Sequence, residues 1–302
     1  REIVTANPPP AQPLSARLEG AEYFEAQYRV RTGDIDQDMR VRLDSVARYL
    51  QDIANDNADA AGFGKTDPFW IVRRTIIDVI RPFSWPGTVY AERWCGAAST
   101  RWANMRVTMA AKHETNLFNP DPREDGLIET EGFWINVNAQ GMPTRISDEL
   151  QAGINAMTNE HRLRWKSMNP EKAPESGSEP DREFVLRAVD YDPFKHLNNA
   201  AYLAVVEEDV LAHPELVDRP YRMVVEYLRP IEPGATITVR RLREDDRLTL
   251  WLLLGEEKTV AATIAVGFLG VVIALQDVAT ALFGWFTILL GRKFTVGDRL
   301  EI

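Results

Sequence analysis

The amino-acid sequence predicts an α+β protein in which one unit, an antiparallel sheet wrapped around a long central helix, is built twice. Three observations predict it. Sliding the chain on itself by 156 positions superimposes Arg31, Asp34 and Asp36 on Arg187, Asp190 and Asp192, each set following a strand-like run, Tyr28 to Val30 and Phe184 to Leu186. Apolar residues then recur at helical spacing in both copies: Leu43, Val46, Ala47, Leu50, Ile53 and Ala54 in the first, Leu203, Val206 and Val210 in the second. A second echo, at an offset of 148, sets Arg81-Pro82-Phe83 against Arg229-Pro230-Ile231, each followed by Pro-Gly, at Pro86-Gly87 and Pro233-Gly234. Pro-Gly marks a turn, because proline fixes one dihedral and glycine accepts a positive one.

The remaining elements follow in order. Ala235 to Arg241, Leu248 to Leu254 and Thr259 to Val266 carry strand-forming residues, with a hairpin at Gly255 to Lys258. Asn169 to Asp181 is rich in Pro, Glu and Ser and suits an exposed crossing segment. Residues 1–21 include Pro8 to Pro10 and lack a signal-peptide core, so they read as a disordered leader. The expected organisation is 1–21 leader, 22–160 first sheet-and-helix domain, 161–182 linker, 183–266 second domain, and 267–302 apolar helical tail.

Composition narrows the chemistry. Across 302 residues, 45% hydrophobic and 26% charged content is ordinary for folded protein. A formal net charge of -10, with no Lys/Arg block, argues against a nucleic-acid partner, since phosphate binding needs clustered cations. One cysteine, Cys95, excludes an internal disulfide and is expected only to pack; the four histidines have no metal-ligand spacing, so no metal or cofactor is expected.

The stretch from Asp34 through Gly62, with Tyr49-Leu50-Gln51-Asp52, Ala54-Asn55 and Ala61-Gly62-Phe63, then Trp70, Ile80-Arg81-Pro82, Trp85 and Trp94-Cys95 in order, resembles the first hotdog fold of bacterial and plant acyl-ACP thioesterases. In the second copy, Asp192-Pro-Phe-Lys-His196-Leu-Asn198-Asn199 is similar to that family's D-x-N-x-H-x-N-N loop running into the central helix. The resemblance implies a tandem (double) hotdog that hydrolyses fatty acyl-ACP thioesters, releasing free fatty acid in fatty acid biosynthesis, with acyl-CoA as the alternative carrier and a non-catalytic acyl-binding protein as the rival class.

It also implies catalytic roles for His196, Asp192, Asn198 and Asn199. Imidazole titrates near neutrality, so His196 can take a proton from water attacking the thioester carbonyl, with Asp192 polarising the water or the ring. Asn198 or Asn199 lies where a helix N-cap belongs, ahead of Ala200 to Leu211, and the first-turn amides offer a place for the developing oxyanion. Two departures stand out. The Asn two residues before the family's His is Phe194, and the acidic or cysteine position after Glu226-Tyr227-Leu228-Arg229 falls on Pro230 and Ile231, with Glu232 nearby. At the position equivalent to His196 the first copy has Arg40, so that half is expected to be inert and to shape the acyl tunnel. Trp70, Trp85 and Trp94 are candidates for core or substrate-binding tunnel wall, and Arg73 and Arg74 for contact with an acidic carrier protein.

From Val260 to Gly291 there are 32 residues with a single charge, Asp277. Val260 to Gln276 is contested between the last strand and a membrane helix. The run from Gly267 through A-L-Q-D to R-x-F-x-V-G-D resembles the pore-lining helix of small-conductance mechanosensitive channels, either as a chimera joined between about Ala262 and Phe268 or as a fusion, and this tail alone carries a third class, a fragment of a mechanosensitive ion channel. The hotdog region is accordingly expected in the cytoplasm, with membrane association through 267–291 if the tail is genuine, and as monomer or homodimer.

Overall fold

The structure, a computed structural model, describes residues 13–269. Ten strands form one antiparallel sheet in the order β1-β3-β4-β5-β2-β7-β10-β9-β8-β6. The first five in that order are β1 (Phe24–Arg29), β3 (Gly87–Ala98), β4 (Trp102–His113), β5 (Gly126–Asn136) and β2 (Trp70–Arg81). The second five are β7 (Tyr221–Tyr227), β10 (Thr259–Phe268), β9 (Arg247–Leu254), β8 (Ile237–Glu244) and β6 (Arg182–Phe184). Each half carries one long helix, α1 (Leu43–Ala61) and α3 (Asn199–Ala212), and the two helices pack on each other. The class is α+β with a large antiparallel sheet and few helices, as expected.

The helices differ for a reason written in their residues. In α1 one face is apolar and buried (Leu43, Val46, Ala47, Ile53), while Asn55 and Asp56 on the other are exposed. It stops at Gly62, whose φ of 72° opens a left-handed cap that donates its N–H to the carbonyls of Ala58 and Asp59. In α3 nearly every residue from Ala200 to Val206 is apolar, and the helix is enclosed almost throughout.

The duplication seen in the sequence is repeated in the hydrogen bonds. Asp36 and Asp192 each donate their N–H across a tight turn, to the carbonyls of Arg40 and His196, at 2.8 Å in both copies. Val41 and Leu197 donate to Phe83 and Ile231 at 2.9 and 2.8 Å, which unites the two offsets in one contact. The halves meet where β2 pairs with β7, and there Arg74 faces Glu226 while Asp78 faces Arg222.

Several expectations are corrected. At Gly87 the glycine serves close approach rather than a positive φ: a Cβ there would lie 2.9 Å from the carbonyl oxygens of Lys112 and Ser84. Gly234, with φ of 87°, is the turn residue its dipeptide suggests. A helix the sequence reading lacks, α2 (Asp148–Met157), follows β5; its signal is Ser147, whose hydroxyl caps Leu150 N–H, followed by Asp148 and Glu149 in the first turn. The crossing segment is mostly exposed but fastened: Glu226 takes the N–H groups of Met168 and Asn169 and the hydroxyl of Ser167, and Asp181 pairs with Arg240 at 2.6 Å. Leader residues from Leu14 onward belong to the folded unit, because Arg106 donates to the carbonyl of Ser15 and Arg17 pairs with Glu92. The contested stretch is strand as far as Phe268, where β10 is held between β7 and β9. The apolar helical tail beyond it, like residues 1–12, lies outside the described residues. Among the described residues no helix is long and apolar enough to cross a membrane.

Candidate active site

The loop that carries His196 is stapled by its own carboxylates. Asp190 accepts the N–H of Arg187 at 2.8 Å and pairs with its guanidinium. Asp192 Oδ1 accepts the N–H groups of Phe194 and His196, at 2.9 and 3.0 Å, an Asx turn that places Lys195 at φ of 61°. The mirror turn puts Met39 at the same φ, so the left-handed residue belongs to the repeated turn rather than to chemistry. Leu197 is buried behind this turn and His196 and Phe194 are exposed in front of it. Among the described residues, Asp192 spends Oδ1 on the backbone, and the His196 ring has no hydrogen-bond partner.

Asn198 is the N-cap of α3: its Oδ1 accepts the N–H of Ala200 at 2.9 Å. It accepts a second bond, at 3.0 Å, from Nε2 of Gln51 on α1 of the other half. Asn199 is the first helical residue, and its N–H has no acceptor among the described residues. The offset of 156 makes Leu43 the counterpart of Asn199 and Glu207 the counterpart of Gln51. In that mirror position the N–H of Leu43 is filled by the carboxylate of Glu207. Burial pushes the Glu207 carboxyl up, although Arg40, 3.9 Å away, opposes this. One helix start is therefore plugged by an anion and the other is open.

The open start borders a narrow, partly open cavity of about 50 Å³. On one side are Ala47, Leu50, Gln51 and Ala54 of α1; on the other are Thr75, Val107 and Trp134 of the first-half sheet. Asn199 and Tyr227 are the second half's contribution. Arg93 also lies in this wall, and burial pushes its guanidinium down to about 10.

Of the site residues expected from sequence, His196, Asp192, Asn198 and Asn199 share one loop-to-helix junction, and Asn199 reaches the cavity. The three tryptophans do not line it. Trp70 donates to the Asp67 carbonyl and packs beside Cys95 and Ile154; Trp85 stacks near Phe118; Trp94 is buried under Arg17 and Arg106. The aromatic wall is Trp134 instead. Arg74 is no carrier-facing cation: it is buried, 3.1 Å from Glu226, with its guanidinium over Trp165, and Arg73 is also drawn over Trp165. Cys95 packs as expected, its thiol pushed up to about 12 by burial. Ile231, where an acid or cysteine stands in the family, is fully buried with its carbonyl committed to Leu197, and Glu232 is exposed beside it. Gln51 and Arg93 were missed. Nothing local marks Gln51, while Arg93 had one available signal, a cation in phase with Val89 and Ala91 on a strand's core face.

The histidine loop thus leads into a helix start with a free amide, and that start borders a cavity. The sequence matches the acyl-ACP thioesterase N-terminal domain over residues 21–154 and the C-terminal domain over residues 174–264. It is 37% identical over 252 residues to an uncharacterised protein of Mycobacterium tuberculosis, covering 83% of this chain and 95% of that one. The chain belongs to the acyl-ACP thioesterase family, and it hydrolyses acyl-ACP thioesters. Its fold is shared with a 12:0-ACP thioesterase from Umbellularia californica (TM-score 0.60, 18% identity, 81% of this chain and 96% of the other). An acyl-ACP thioesterase from Bacteroides thetaiotaomicron shares it as well (TM-score 0.62, 13% identity, 82% and 97%).

Proposed function

We propose that the two-fold repeat is a tandem hotdog in which the second copy does the chemistry and the first holds the acyl chain. The carrying observation is the unoccupied N–H of Asn199 at the cavity wall, three residues beyond His196. His196 takes a proton from water as the water oxygen bonds to the thioester carbonyl carbon. The carbonyl oxygen gathers negative charge, and the Asn199 N–H at the positive end of α3 stabilises it. Collapse breaks the carbon–sulfur bond, and the proton held by His196 goes to the departing thiolate of the carrier's pantetheine arm. Asp192 serves by holding the loop, through its two bonds to the Phe194 and His196 backbone, rather than by gripping the imidazole.

The test is His196→Ala, assayed for thiol release from medium-chain acyl-ACP and acyl-CoA. General-base removal costs about 10² to 10⁴ in rate, so kcat should fall at least about a hundredfold while Tm stays within a few degrees, since the ring is exposed and unbonded. Wild-type turnover in that variant would remove His196 from the mechanism. The acyl-CoA arm measures how far the carrier itself contributes.

A further inference from the structure

The cavity contains a charge that an alkyl chain does not need. In β3, Val89 and Ala91 face the core, and Arg93 follows at the same phase, opposite Val107 of β4 and Phe24 of β1. Its side chain thus enters the layer between sheet and α1, where a fatty acyl binder would carry another apolar residue. Arg93 is 8% exposed and lines the cavity.

Its surroundings do not compensate it. Among the described residues its hydrogen-bond partner is the neutral Oδ1 of Asn57, and no carboxylate stands within ion-pair distance. Glu131 also borders the cavity, but its carboxylate is engaged by Asn104 Nδ2 at 3.1 Å and Ser15 Oγ at 3.4 Å. Those partners stand on the outer face of the sheet, since Asn104 alternates with Met105 and Val107. An enclosed cation without an anion is costly, and a guanidinium favours a carboxylate held by two parallel bonds. Asn57 lies six residues beyond Gln51 on α1, which places the cation about 9 Å along the helix from the contact that marks the start of α3.

We propose that Arg93 recognises a carboxylate at the far end of the acyl group, so that the preferred substrate is the monothioester of a medium-length α,ω-dicarboxylic acid. This rests on the reading above that the cavity receives the acyl chain. The substrate anion completes the ion pair that the fold leaves open, and it does so at the end of the chain remote from the thioester.

The experiment compares kcat/KM for suberyl and octanoyl thioesters, equal in carbon number, on the full chain. A site built around a buried polar group rejects an analogue lacking the partner by large factors. Wild type should therefore favour suberyl by at least about tenfold, and Arg93→Met should abolish that preference, losing suberyl turnover while octanoyl turnover is kept or improved. Arg93→Lys should keep part of the preference, and it serves where the Met variant does not fold. Equal activity of wild type on the two substrates, or equal losses on both in Arg93→Met, would overturn the proposal. His196→Ala is run alongside: if it retains turnover, the catalytic assignment fails, whereas the wild-type substrate ratio still decides the role of Arg93.

Discussion

Asn199 and Leu43 stand at the same step of the repeated unit, yet only one has a free N–H. The difference lies in the residue each receives from the opposite helix. Glu207 is an acceptor and fills the Leu43 amide; Gln51 is a donor, turns to Asn198 Oδ1 and leaves the Asn199 amide open. A single exchange of donor for acceptor should therefore convert the open start into a plugged one. Gln51→Glu is expected to lower kcat at least about tenfold more than Gln51→Ala, because a carboxylate placed as Glu207 is would occupy the amide needed by the oxyanion. Both variants should keep their melting temperature within a few degrees. If Glu and Ala at position 51 cost the same, the plug explanation is wrong. The cap of α3, read from the sequence as Asn198 or Asn199, was legible beforehand because capping is local, and it is Asn198. Gln51 was not: its partner is 147 residues away, and only the crossing of α1 and α3 brings them together. Tryptophan left core and tunnel wall both open for a related reason, since size marks burial but not which of several clusters a ring enters.

Between elements, the decisive contact is the β2–β7 seam. Under the offset of 148, Arg74 corresponds to Arg222 and Asp78 to Glu226. Antiparallel pairing then sets each arginine opposite the other copy's acid, giving Arg74–Glu226 at 3.1 Å and Arg222–Asp78 at 2.6 Å. Both pairs are buried, and Glu226 also holds the crossing segment through Ser167, Met168 and Asn169. Removing one partner of a buried pair strands the other. Glu226→Ala should cost about 3–5 kcal/mol in unfolding free energy, read by urea denaturation of the full chain. A loss below about 1 kcal/mol would mean that water replaces the carboxylate. The last three strands, β8 to β10, both long helices and the turn joining β9 to β10 could be read in advance from periodicity and turn residues. The seam could not, because Arg73 and Arg74 read as surface cations open to a carrier protein until the partner strand is known. The short helix α2 escaped because only its cap and two acids announce it.

At the scale of the whole molecule, the proposed mechanism divides one task between two copies of one unit. The cavity lies against α1 and the first-half sheet, while the histidine loop and the free amide belong to the second half. The repeat was visible in the sequence at two offsets, and so was the asymmetry of Arg40 against His196. The cavity was not, because its existence depends on how far α1 stands from β2, β4 and β5, a distance no pattern encodes. The division has a direct consequence. Ala54 lines the cavity from α1, on a different half from every catalytic candidate, so enlarging it should alter which acyl groups fit without touching the reaction. Ala54→Leu extends the side chain into open space rather than into packed core, so the fold should tolerate it. Against a series of acyl thioesters of increasing length, kcat/KM for the longest accepted chain should fall about tenfold or more, the scale of one methylene-sized misfit in an apolar pocket. For the shortest chain, kcat should stay within about a factor of two, because the His196 loop and the Asn199 amide are undisturbed. A uniform decrease across the series would show that α1 transmits strain to α3 through Gln51, and that holding the chain and cleaving it are not separable functions of the two halves.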